Sequence, residues 1–199
     1  MLSNTQLSSA NKYKEWLRVI VHNSELPSND RVRASCGCFA IVQDHHHAIV
    51  VLLDARLYAS VFSLVRITFE AYIKGEWLAS CATDEEIKRF LEGKELKNTF
   101  AEMIEAIEKA PAFNEQGLSA IKRRTWKAMC AYTHTGGLHV QRWITEDGIG
   151  PNYSTDEILE ALRFSEILAS MSVLGVLTLA GDEAMAEQLL ERYKARMVE

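Results

Sequence analysis

Proline and glycine are scarce in this chain: three prolines and ten glycines among 199 residues. So few breakers favour long periodic stretches over many short strands joined by tight turns. Cysteine is scarce too. Cys36 and Cys38 form a C-x-C, Cys81 and Cys130 are isolated, and neither C-x-x-C nor zinc-finger spacing occurs. Residues i and i+2 of a helix diverge, so Cys36 and Cys38 do not chelate together; reduced core cysteines are the simpler reading. Positive charge is in deficit, with a net charge of -5 and a pI of about 5.7. That excludes a general basic footprint for nucleic acid, DNA included, though not a local patch. The opening MLSNTQLSSANKYKEW has no apolar signal region. The longest uncharged run, ILASMSVLGVLTLAG at 167–181, is fifteen residues, short of the ~20 that span a bilayer as a helix. The expectation is a cytoplasmic chain without a membrane span.

Several chemical signatures are missing as well. GKEL at 93–96 lacks the upstream glycine of a phosphate loop, and neither G-x-S-x-G nor H-E-x-x-H occurs. No cofactor is expected.

What is present is helical periodicity. A first helix is expected from about Ser3 to Leu26, stopped by Pro27, and a second from the cap residues Ser28-Asn29-Asp30. A third covers about Ala55 to Ala82; since nothing at Asp54 clearly marks a break, one kinked rod stands as the alternative to two helices. Thr83 with Glu86 and Ser154 with Glu157 are capping-box patterns. Between them, helices are expected over about 96–109, ended by Pro111, and 118–135, stopped by Gly136-Gly137. LHVQRWITEDGIGPNYS is the one long irregular segment, and a last helix follows Gly181-Asp182 to the end of the chain. The fold class is all-α: a single-domain bundle over 1–199, of about six or seven helices. Long apolar helices in a chain this size suggest a homodimer.

The stretch SVFSLVRITFEAYI, 60–73, places Arg66 and Glu70 inside an apolar helix. On a helical wheel, Val61, Phe62, Val65, Phe69, Tyr72 and their neighbours fill a broad arc. Arg66 and Glu70 share the remaining narrow stripe with Ala59, Ser63, Lys74 and Trp77. Three readings stand: a solvated i,i+4 pair, a structural buried pair, or a cleft. Small residues at 59, 60 and 63 would admit a neighbouring helix or a ligand, and an arginine fork suits carboxylate or phosphate.

KRRTWKAMCAYTHTGG, 122–137, is the densest basic run. Arg123, Lys127, Cys130 and His134 line one face, opposite Leu118, Ile121, Thr125, Met129 and Tyr132. His134 falls in the last helical turn, where the dipole favours the protonated ring, and can serve as acid or base. A helix C-terminus is, however, a poor phosphate site. In DHHHAI the three histidines point about 100° apart and cannot share an ion. His46 lies on the apolar face, and Asp44 with His47 supplies two ligands at most. Glu70 or His134 would have to add a third. No metal is assigned.

The combination R-x-x-x-E (Arg66, Glu70, then Trp77-Leu78) with a later Y-T-H-x-G-G-x-x-x-Q-R (Tyr132, Thr133, His134, Gly136, Gly137, Gln141, Arg142) resembles a group of uncharacterised bacterial all-helical proteins over about residues 40–155. These are distantly similar to HEPN-type helical domains. That resemblance implies either a non-catalytic binding or interaction module or a metal-independent endoribonuclease of the toxin or phage-defence type. Catalytic members carry arginine and histidine within about two helical turns, whereas nine residues separate Arg124 from His134 here. The catalytic motif is not matched, and what carries over is Arg and His from two helices meeting in one cleft. The expected site is Arg66, Glu70 and His134, with Tyr132, Lys127, Gln141 and Arg142 as ligand contacts. The expected ligand bears phosphate, RNA among the choices. A non-catalytic binding module is the leading expectation and the endoribonuclease the alternative.

Overall fold

The structure, a computed structural model, describes residues 1–110 and 117–198. Among them are nine helices: α1 (Asn4–Asn23), α2 (Asp30–Asp54), α3 (Tyr58–Ser80), α4 (Asp84–Leu91), α5 (Phe100–Lys109), α6 (Gly117–Thr133), α7 (Gly137–Gln141), α8 (Thr155–Ala180) and α9 (Glu183–Val198). A two-residue antiparallel hairpin, β1 (Ile144–Thr145) and β2 (Gly148–Ile149), precedes α8. The chain is all-α as expected, but six or seven helices is too few. Two features make the difference: a break at Arg56 that composition does not announce, and a short extra helix after the stop expected at Gly136-Gly137. At the first, Arg56 takes a left-handed φ of 60°, and the Leu57 N–H reaches back to the Leu52 carbonyl at 2.8 Å. This closes α2 and reverses the chain, so α2 and α3 are a hairpin and not one rod. At the second, Thr135 takes φ 54°, ending α6 and releasing the short α7.

Local capping chemistry sets most helix starts. Ser3 with Gln6, Thr83 with Glu86, Thr99 with Glu102 and Ser154 with Glu157 all form reciprocal capping boxes, and the Asn29 side chain accepts from Val32 N–H. Each satisfies donors that a helix start leaves open. Helix α1 stops at Asn23, short of Pro27. The expected stop at Pro111 lies outside the described residues.

Packing centres on Phe39. Its ring is fully buried and lies between Gly75 of α3 and Gly175 of α8. A Cβ on either glycine would sit 2.7 Å from a ring carbon. Helix α2 therefore approaches α3 and α8 closely at one level, and the Arg31 guanidinium donates to Leu78 O at 3.0 Å to tie the start of α2 to the end of α3. On the other side of α8, Leu17, Ile20, Val173, Leu177 and Leu189 join α1 and α9 to it. Arg196 of α9 meets the fully buried Glu166 at 2.7 Å. Helices α5 and α6 cover the opposite flank of α3. Helices α2 and α8 are long and apolar enough to cross a membrane by length and composition, and here both pack into the bundle.

The histidine run resolves simply. His46 is buried against α8, its Nδ1 3.0 Å from Ser165 Oγ. Ser165 donates its hydroxyl hydrogen to Leu162 O at 2.8 Å, so Nδ1–H is the donor to Ser165. Among the described residues no three His, Cys, Asp or Glu side chains converge as metal ligands, and Glu70 and His134 are held at another centre.

Two measurements check this packing. Gly→Ala in a helix normally stabilises by about 0.5–1 kcal/mol. Gly75→Ala and Gly175→Ala are expected instead to destabilise by about 1–3 kcal/mol in urea unfolding, since the ring cannot leave one glycine without striking the other. Unchanged or raised stability would remove Phe39 from its role. The second concerns acid. Burial pushes His46 down to about 3, so between about pH 6.5 and that value the unfolded chain binds a proton that the folded chain refuses. Stability is then full above the unfolded value and falls as pH falls through the window; desolvated His45 acts in the same direction. The wild-type urea midpoint should drop on going from neutral pH to about pH 5.5, and drop less in His46→Gln. Equal drops would assign the pH dependence elsewhere.

Candidate functional site

The stripe on α3 faces α6. Arg66 Nε donates to Glu70 Oε1 at 2.9 Å, and Nη2 is also 2.9 Å from that oxygen. Arg66 Nη1 is 2.5 Å from His134 Nε2. The guanidinium carbon lies 4.8 Å over the Trp126 ring, and the other partner of that ring is Phe100, stacked at 4.5 Å. Arg66 is thus held by a carboxylate, an imidazole and an aromatic face together. Its side chain is 18% exposed and that of Glu70 24%, so the pair is neither solvated nor sealed. Trp77, expected on the same stripe, is in the core instead.

Local backbone places His134. The end of α6 is pinned on α3 by Ser63, whose one hydroxyl hydrogen is shared between Ala59 O and Tyr132 O, at 2.9 and 3.1 Å, and by the Thr133 hydroxyl near Ser63 O at 3.3 Å. The small residue at 63 is what lets α6 come this near. His134 follows the last helical residue and its N–H caps Cys130 O at 3.0 Å. Thr135 then adopts its left-handed φ, a conformation that costs a β-branched residue about 1–3 kcal/mol. Gly136 follows at a point where a Cβ would lie 3.1 Å from Ala131 Cα. A strained residue and a glycine packed tightly against α6 together turn the chain directly after His134.

The contact also defines protons. Arginine has no acceptor, so His134 Nε2 must accept from Arg66, and the ring proton sits on Nδ1. Arg66 and His134 together present donors: the remaining Nη hydrogens and Nδ1–H. Such an array suits an anion.

The other expected ligand residues divide. Tyr132 is buried, its ring 4.9 Å from Phe62 and 5.3 Å from His139. It helps line a mostly apolar cavity of about 280 Å³ between α3, α6 and α8, with Met129 and Phe164. Arg142 is paired with Glu157 of α8; the Tyr132 hydroxyl and then Glu157 hold its pKa above the usual arginine value. Gln141 is exposed on α7. Neither joins the Arg66 centre. Lys127 is exposed on α6 and lines the cleft that Trp126 walls. Trp126 is the participant that sequence reasoning passed over; eight residues before His134, it lies about 80° round the wheel from it, at the edge of that face. Cys38 offers no nucleophile, since burial pushes its thiol up to about 11.

Residues 39–197 match the model of a family of unknown function, DUF6988, and the chain belongs to that family. No curated protein and no solved structure matches the chain.

Truncating Arg66 tests how the centre is held. Exposed ion pairs contribute at most about 1 kcal/mol, and breaking a fully buried one costs about 3–5 kcal/mol. At the observed exposure, Arg66→Ala is expected to cost about 1–3 kcal/mol in urea unfolding, since Glu70 loses its partner and Trp126 its cover. A loss inside experimental error would mean the three contacts do not act in the folded protein.

Proposed function

We propose that this DUF6988 member is a HEPN-like binding module whose Arg66 and His134 take a phosphate-bearing ligand, in a cytoplasmic setting. The observation that carries the proposal is the immobilised guanidinium: Glu70, His134 and Trp126 fix it at a partly open position. A fixed fork loses little entropy on binding and matches a phosphate's oxygens. The HEPN likeness draws support from the all-helical bundle and from an arginine and a histidine brought from different helices to one place. The cytoplasmic setting draws support from the free cysteines.

Catalysis is the second reading, and one observation favours it. Arg66 and His134 are in contact, well within reach of a single phosphodiester. In a metal-independent endoribonuclease, Arg66 would hold the developing negative charge and His134 would move the proton. Glu70 orients Arg66, not His134. Binding ranks first because Arg66 occupies the Nε2 lone pair that a general base needs. Catalysis would require Arg66 to leave Nε2 for the phosphate.

Both readings meet in one experiment. End-labelled single-stranded RNA is incubated with excess protein in EDTA, and binding is read by anisotropy and integrity on a gel. Binding of intact RNA, weakened about tenfold or more in Arg66→Ala (about 1.4 kcal/mol), is the expected result. Cleavage that His134→Ala abolishes would promote the enzyme reading. Equal cleavage by wild type and His134→Ala would mark a contaminant. Binding indifferent to Arg66→Ala, or no binding, would overturn both readings.

A further inference from the structure

The chain is acidic overall, yet α6 is not. Between 117 and 133 it carries Lys122, Arg123, Arg124 and Lys127 and no Asp or Glu. Among the described residues no ion pair engages these four. Three of them do not merely dot a convex surface. Lys122, Arg123 and Lys127, with Ser119, line a cleft of about 420 Å³ between α5 and α6. Its α5 wall adds Ile104 and Glu105, the latter 3.9 Å from Lys109. Its inner wall is Trp126, the same ring on which Arg66 rests. The cleft and the Arg66–His134 centre are therefore neighbours across one side chain. Arg124 faces elsewhere, into the cavity beside Glu157 and Glu160.

We infer that a single-stranded polynucleotide lies along this face of α6, one phosphate at Arg66 and His134 and further phosphates at Lys127 and Arg123 in the cleft. This rests on the phosphate-centre reading above and names its ligand class. Spacing selects the class. From Lys127 to His134 the helix rises about 10 Å, and from Arg123 about 16 Å. The phosphates of a nucleoside diphosphate share an oxygen atom and cannot span that distance, whereas an extended strand of a few nucleotides does. The contacts are to the backbone. Trp126 is covered by Phe100 and by Arg66, so it offers no free face for stacking a base. Binding is then indifferent to base sequence and strongly salt-dependent.

The test compares a labelled uridine dinucleotide with a twelve-nucleotide oligouridylate and its deoxythymidylate counterpart, in EDTA over a range of salt. Proteins are wild type, Arg66→Ala and the double variant Arg123→Gln/Lys127→Gln. The last changes exposed side chains, and circular dichroism checks its fold. The double variant should weaken the long strand about tenfold at low salt. It should also flatten the slope of log K against log salt by about 1.4, at about 0.7 per lost phosphate contact. Dinucleotide binding should weaken much less than long-strand binding, because its single phosphate sits at Arg66 and His134. Arg66→Ala should weaken both lengths. Equal binding of the ribo and deoxy strands would support contacts to phosphate alone, and a preference for the ribo strand would support the same path with 2′-hydroxyl contacts added. A long strand indifferent to the double variant, with dinucleotide binding still dependent on Arg66, would overturn the strand path and leave the phosphate centre standing. Binding of neither length, or binding that ignores Arg66, would overturn both.

Discussion

Phe39 wedged between Gly75 and Gly175 is the constraint on which the rest of the architecture depends. One ring, filling space that two missing side chains leave, fixes the distance between α2, α3 and α8 at a single level. Once those three helices are locked, most of the circumference of α3 is spoken for. Val61, Val65, Phe69 and Tyr72 face into the core, and the stripe left over has to meet α5 and α6. Core packing thus decides where Arg66 points. The site is a consequence of that locking, since an arginine on a loosely held helix would not keep one register against Trp126 and His134.

What Arg66 meets there is a balance of modest terms. An exposed arginine–glutamate pair of this order on a helix is weak. Here Trp126 excludes water from one face of the guanidinium, which raises the value of the Glu70 contact. The same exclusion makes an unpaired Glu70 costly. The Phe100 ring behind Trp126 keeps the indole from tilting away. Each partner makes the next one worth more, so the cluster holds its geometry without being sealed from solvent.

Much of the fold was legible because it follows local rules. The capping boxes at Thr83 and Ser154 and the cap at Asn29 are short-range chemistry, and the structure uses each of them. The box at Thr99 was equally legible but masked by the apolar Leu96 before it. The break at Arg56 was not legible, because a left-handed arginine has no composition signal; tertiary packing of the α2–α3 hairpin imposes it. At the end of α6 the stop was legible in Gly136-Gly137, and only the left-handed turn at Thr135 and the short α7 after it were not. In the site, the wheel correctly separated Arg66 and Glu70 from the core face and grouped Lys127 with His134. It misplaced Trp77, which lies at the edge of the stripe and is drawn inward by packing. That α3 and α6 would bring Arg66 onto His134 is a pairing between distant segments. Periodicity describes one helix at a time and cannot supply it. Arg142 and Gln141, adjacent to the histidine in a motif, part from it because α7 carries them off toward α8.

The charge distribution completes the physical picture. A chain with net charge -5 repels a polyanion from most of its surface, so any attraction must come from a place where cations are unopposed. Helix α6 is such a place: among the described residues no ion pair engages Lys122, Arg123, Arg124 or Lys127. Of the described carboxylates on α5, Glu105 lines the cleft and lies 3.9 Å from Lys109, and Glu108 accepts from Ser119. Glu108 does double duty, binding the Ser119 N–H and hydroxyl and so fixing the first turn of α6 against α5. A carboxylate spent on backbone donors at the start of a helix is unavailable to neutralise the lysines and arginines further along. The same contact that positions α6 therefore withholds one carboxylate from the cations along it.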